Sequence, residues 1–176
     1  NYLYTSEGFQ EYFDHLAPDG ILSLTRYFVS VYPLEILRLA TLARDAWEAK
    51  GVVDFRNHAV VLAQDLNATM LVKRSAFTEA ELEKLQDLAV ALKARVLYAP
   101  RPLAGDPQLR ELLTSADWRQ YVADFPFRID APTDDRPFFF NFLRRLLPAG
   151  EVDPFRFLKL WNDALALMYA LITLVS

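Results

Sequence analysis

The sequence predicts an α/β fold: a sheet containing an antiparallel hairpin, flanking helices, and an apolar helix at the C-terminal end. Three observations carry this. Helical and strand-like patterns alternate along residues 6–99. Two β-branched runs, HAVVLAQ at 58–64 and ATMLVKR at 68–74, are separated only by Asp65-Leu66-Asn67, a hairpin-length loop. The segments around them have helical periodicity and recognisable caps.

Residues 6–17 read as a helix, because Phe9, Tyr12, Phe13 and Leu16 fall on one apolar face. Thr5 or Ser6 can cap its first amides. Pro18-Asp19-Gly20 stops it. ILSLTRYFV, 21–29, is aromatic and β-branched enough for a buried strand. Pro33 opens the next helix, which runs to Lys50 with Gly51 as its C′ residue. Ile36, Leu37, Ala40, Ala43 and Trp47 form its apolar side; Glu35, Arg38, Arg44, Asp45 and Glu48 supply a solvated one.

After the hairpin, Thr78-Glu79-Ala80-Glu81 is a capping box. The helix it starts places Leu82, Leu85, Leu88, Ala89 and Leu92 together, and RVLYA, 95–99, comes next as a short strand. The order is α-β-α-β-β-α-β, which suggests an α/β sheet with at least one antiparallel edge. Residues 100–137 are rich in proline; short helices fit at 107–114 and 117–123, and FPFRIDAPTDDRP reads as extended and turn-rich. Residues 155–176 are helical in pattern. They are apolar from Ala164 to Val175, shorter than the ~20 residues that cross a bilayer. This is a buried helix or a membrane span cut short.

The chain has 176 residues, enough for one domain with a core, and is 53% hydrophobic and 24% charged, so it is globular. Its net charge of −4 and the lack of a basic stripe argue against a nucleic-acid partner. With no cysteine it has no disulfide, thiolate nucleophile or zinc–thiolate site. His15 and His58 are the two histidines, and neither has a recognisable nucleophile to activate, so no catalytic residue and no metal site is assigned. No phosphate-cradling glycine loop is present, so no cofactor is expected in this chain. The chain starts at Asn1 and ends in MYALITLVS inside an apolar run, which reads as a piece of a longer protein.

The stretch PTDDRPFFFNF, 132–142, invites two explanations. Asp134 and Asp135 could act as an acid/base pair or magnesium ligands, or lie in a turn with Arg136 neutralising one of them. The Phe138-Phe139-Phe140 run, with Leu143-Arg144-Arg145 after it, could be core or could sit at a membrane–water boundary.

LYTSEGFQEYFDHLAPDGILSLTRYF resembles the helix–strand unit of the spermidine synthase-like proteins, which have the S-adenosylmethionine-dependent methyltransferase (Rossmann-like) fold. The matching pieces are Leu3-Tyr4-Thr5, Leu16-Ala17-Pro18-Asp19-Gly20 and Ile21–Phe28. The hairpin at 58–74 is similar to the strand pair that closes such sheets. Thr133-Asp134-Asp135-Arg136-Pro137-Phe138 resembles a signature of membrane-embedded bacterial members, near the junction of soluble domain and transmembrane helices. The resemblance implies that residues 1–147 are the C-terminal half of a methyltransferase-like domain. Residues 148–176 would be a membrane-proximal helix starting a truncated transmembrane region.

It further implies a parent in the bacterial inner membrane, with this domain on the cytoplasmic side. The parent would transfer an aminopropyl or methyl group from S-adenosylmethionine or its decarboxylated form. The family's glycine loop, ribose-binding acid and catalytic Asp belong before this segment, so the fragment itself is expected to be soluble and inactive. The alternative is a non-catalytic, membrane-attached scaffold. Ligands sit at the carboxyl ends of strands in open α/β sheets, so Tyr2, Tyr4, Arg26 and Tyr27 are the candidate substrate-binding cleft rim. Polyamine synthases often carry Gln where this strand runs Thr25-Arg26, which points away from a diamine. A sheet lacking its first strands leaves an apolar edge, so a homo-oligomer is expected through that surface.

Overall fold

The computed structural model describes residues 2–100 and 105–142, all within one unit, Asn1–Leu143. The expected helix at 155–176 and the expected membrane-proximal segment 148–176 lie outside the described residues. Among the described residues no helix is long and apolar enough to cross a membrane.

A 3₁₀ turn, Tyr2–Tyr4, leads into α1, Ser6–His15. Thr5 caps α1 by accepting the Gly8 N–H at 3.2 Å. β1, Ile21–Tyr27, is followed by α2, Leu34–Ala49. α2 ends in a Schellman motif: Gly51 N–H donates to Glu48 O and Val52 N–H to Trp47 O, with Gly51 at φ 89°. A 3₁₀ turn, Phe55–His58, precedes the hairpin of β2, Ala59–Gln64, and β3, Asn67–Lys73. Its loop is Asp65-Leu66, one residue shorter than expected, because Asn67 already pairs with Gln64 and Asp65 takes φ 52°. α3, Glu79–Ala91, starts on the expected capping box. β4, Arg95–Tyr98, α4, Pro107–Thr114, and α5, Trp118–Asp124, complete the described chain.

The strand order is β1-β3-β2-β4, and every neighbouring pair is antiparallel. The α/β alternation holds. The antiparallel pairing extends across the whole four-stranded sheet, where at least one antiparallel edge was expected. Since β3 runs against both β1 and β2, those two point the same way, and both end at the Asp65-Leu66 loop.

One face of the sheet is sealed. Ala59, Val61, Ala63, Ala68, Met70 and Val72 are buried there, beneath α2. The opposite face is covered at one end only, where Val60, Leu62 and Leu71 pack with Phe77, Leu82 and Leu85. Beyond α3 no described residue covers it, and Ile21, Ser23, Thr25 and Tyr27 are exposed. β1 is therefore a half-exposed edge strand ending at Tyr27, not the buried strand 21–29 that its composition suggests. Leu88 and Leu92 of the α3 region are also exposed; only Leu82 and Ala89 of their expected face are buried.

α2 has no fully solvated side. Arg38 and Arg44 are 1% and 9% exposed, because α1 and the sheet pack on one flank while α4 packs on another. Arg44 donates to Leu112 O of α4 at 2.7 Å and to Glu48. Glu48 also accepts the Trp118 indole N–H, and Arg119 reaches Asp45 and Glu48. The polar residues of α2 thus hold α4 and α5 in place. At the same C-terminal end, on the side facing α1 and the sheet, the buried Trp47 meets Phe13 edge-on and donates to Lys73 O at 2.9 Å.

Candidate functional site

The carboxyl end of β1 collects the side chains with chemistry to offer. Gly8 makes this possible from the N-terminal side. A Cβ there would sit 2.5 Å from Tyr2 O, so only glycine lets the 3₁₀ turn lie directly on α1. The Thr5 hydroxyl donates to Tyr2 O at 3.0 Å, and the Tyr12 hydroxyl donates to Leu3 O at 3.2 Å. Burial raises the Tyr12 phenol, with Tyr4 adding to the shift, so it remains a donor. These bonds fix Tyr4 over the sheet end.

Arg26, the penultimate residue of β1, stacks on Tyr4 with its guanidinium carbon 4.1 Å from the ring centroid. Phe139 and Phe140 lie at 5.5 and 5.6 Å. Tyr4 and Phe139 are themselves in contact, with ring centroids 4.8 Å apart. The Arg26 Nε is buried with no hydrogen-bond partner among the described residues. Glu35, in the first turn of α2, is half-buried; burial raises its carboxyl and the Arg26 charge opposes the rise.

One turn further on, Arg38 secures the other wall. Its Nη1 donates to Phe139 O at 2.5 Å, Asn141 O at 2.9 Å and Phe138 O at 3.1 Å. Asp130 faces its Nη2 at 3.8 Å. Desolvation lowers the Arg38 guanidinium to about 10, against the pull of Asp130, which leaves it charged near neutrality.

The Thr133–Arg136 stretch is a turn closed by the Arg136 N–H donating to Thr133 O at 2.9 Å. Pro132 O accepts the Ser6 N–H at 2.8 Å, and the Asp134 N–H donates to the Glu7 carboxylate at 3.0 Å. The turn is thus tied to the first turn of α1. Asp134 and Asp135 are exposed, Pro137 is half-buried and Phe138 is 65% exposed. This geometry matches the turn alternative for the acid pair. Among the described residues no group of three or more His, Asp or Glu could hold a metal. His15 is exposed, with Nδ1 near Glu11 O, and His58 Nδ1 lies 3.1 Å from Lys73 O.

Of the four rim candidates, Tyr4 and Arg26 come together, whereas Tyr2 and Tyr27 are exposed and take no part in the stack. Glu35 and Arg38 were not singled out for this site. Their signal lay in α2, where two charged residues one turn apart interrupt the apolar run Leu34, Ile36-Leu37 and Leu39-Ala40. A separate cavity of about 20 Å³ lies under α3, lined by Val60, Leu62, Leu82, Leu85 and Val96. Its lining is mostly apolar, with Gln86 the polar exception, and it holds about one water at most.

Comparison with protein-family models, curated proteins and solved structures finds no match. A function for this chain therefore rests on its own residues.

Proposed function

We propose that this chain is the C-terminal part of a spermidine synthase-like group transferase. The observation that supports this most is topological. β3 inserts antiparallel between the parallel pair β1 and β2, as expected for a hairpin closing a methyltransferase-like sheet. Among the described residues β1 keeps an unpaired edge on which a further strand would fit. Tyr4 and Arg26 then stand at the acceptor side of the cleft.

The parent reaction would transfer an aminopropyl or methyl group from S-adenosylmethionine or its decarboxylated form. A lone pair on the acceptor nitrogen or oxygen attacks the carbon bonded to the sulfonium. The C–S bond breaks, its electrons go to sulfur, and a neutral thioether leaves. The acceptor's proton passes to a carboxylate outside this chain. This chain contributes the acceptor wall and the link to a bacterial inner membrane, with the domain on the cytoplasmic side. The test is transfer of labelled methyl or aminopropyl groups by the longer protein. Labelled product that falls at least tenfold with Arg26→Gln supports the proposal, and no transfer from either donor removes it.

A membrane-attached scaffold without chemistry is the second proposal. It is favoured by Phe138 and Phe140, 65% and 56% exposed, beside backbone that Arg38 holds rigidly. Aromatic rings presented this way suit a lipid boundary. In the chain taken alone, the bare β1 edge and the exposed Ile21 and Tyr27 would be covered by a second copy.

A further inference from the structure

We propose that Arg26 is an anion-binding residue, taking an oxyanion group of a small ligand through its in-plane N–H donors while Tyr4 lies against the guanidinium and Phe139 and Phe140 pack beside it. The other inward arginines show the contrast. Arg44 directs its nitrogens at Leu112 O and Glu48, and Arg74 donates to Leu16 O. Arg38 also has a buried Nε without a partner, but its Nη1 serves three carbonyls and its Nη2 faces Asp130. Arg26 instead rests on rings, with a buried Nε–H that bonds to nothing described.

Stacking occupies the π faces of a guanidinium and leaves its edge free. That edge is the fork that matches a carboxylate or phosphate. The rings also fix the fork's direction, so little side-chain freedom is lost when an anion binds. Its position at the carboxyl end of β1, near the amino end of α2, is where ligands collect in open α/β sheets. Glu35 lies within electrostatic reach, where burial raises its carboxyl and the Arg26 charge opposes the rise. A diamine would meet Arg26 as like charge. Resting on the transferase proposal, this makes the acceptor an acid-bearing amine or alcohol rather than a polyamine.

The test tracks the arginine Nε–Hε resonances of the 176-residue chain by NMR. Sodium phosphate, sodium succinate and butane-1,4-diamine are added separately at constant ionic strength, with sodium chloride as the reference. Arg26→Lys, which lacks the resonance and keeps the charge, identifies the signal; Arg26→Gln serves if the lysine variant misfolds. The expected result is a saturating shift of the Arg26 Hε with phosphate or succinate, and at least tenfold weaker binding in the variant. Whichever anion saturates names the source. A shift no larger than that with chloride, or saturation by the diamine alone, overturns the proposal. If the anion saturates but the longer protein transfers nothing, the site stands and the transferase proposal falls. If transfer occurs without an Arg26 response, the reverse holds.

Discussion

Arg38 holds the carbonyl oxygen of Phe139 at 2.5 Å. Through this contact a helix near the start of the chain fixes the ring that packs against Arg26. The two arginines divide the labour: Arg38 fastens backbone, and Arg26 keeps a buried Nε–H without a hydrogen-bond partner among the described residues. Replacing Arg38 by Met would leave the buried carbonyl of Phe139 and the part-buried carbonyls of Phe138 and Asn141 without their donor. The expected loss is about 2–4 kcal/mol, read as a lower urea midpoint. A change below the scatter of surface substitutions would show that the clamp contributes nothing.

Gly8→Ala tests the N-terminal wall. The added methyl would collide with Tyr2 O and push the 3₁₀ turn off α1. Overpacking of this kind costs about 1–3 kcal/mol. The Arg26 Hε resonance should move as well, because the ring current of Tyr4 is displaced with the turn. An unchanged melting temperature and an unchanged resonance would contradict this placement.

Glu81 gives a pH dependence with a definite sign. Its carboxylate accepts from Lys73 Nζ at 2.5 Å and from the Thr78 N–H, which lowers it to about 2 from 4.5. A depressed carboxyl stabilises the fold above the unfolded value and loses that contribution as pH falls through the folded one. Wild-type stability should therefore drop relative to Glu81→Gln between about pH 5 and pH 2. At neutral pH the substitution should cost on the order of 1 kcal/mol, kept small by the carboxylate's exposure. Parallel stability–pH curves for the two proteins would refute the pairing.

The edge of β1, unpaired among the described residues, predicts association. In detergent-free buffer the chain should scatter light as a dimer or larger, through Ile21–Tyr27. A monomer at all concentrations would show that the edge is protected in some other way.

The elements themselves were legible in the sequence because their signals are local. The capping box at Thr78, the C′ glycine at 51 and Asp106-Pro107 each act through neighbours a few residues away. What escaped the sequence was set by contacts distant along the chain. Arg38 looked solvated by periodicity, yet its partners are 100 or more residues away at Phe138, Phe139 and Asn141. β1 looked buried from its composition, but a strand's exposure depends on which neighbours pair with it and what covers its face. Arg26 was picked out by its position at a strand end. That its guanidinium lies on Tyr4 required the fold of both the 3₁₀ turn and the 138–142 segment.

The measurement that bears most directly on the transferase proposal is calorimetric titration of this chain, and of the longer protein which that proposal implies, with three nucleosides. They are S-adenosylmethionine, its decarboxylated form and methylthioadenosine. The expected result is no saturable heat with residues 1–176 and saturable binding of at least one nucleoside by the longer protein. Saturable binding to the 176-residue chain alone would contradict it, because the donor pocket would then be built here without a glycine-rich loop.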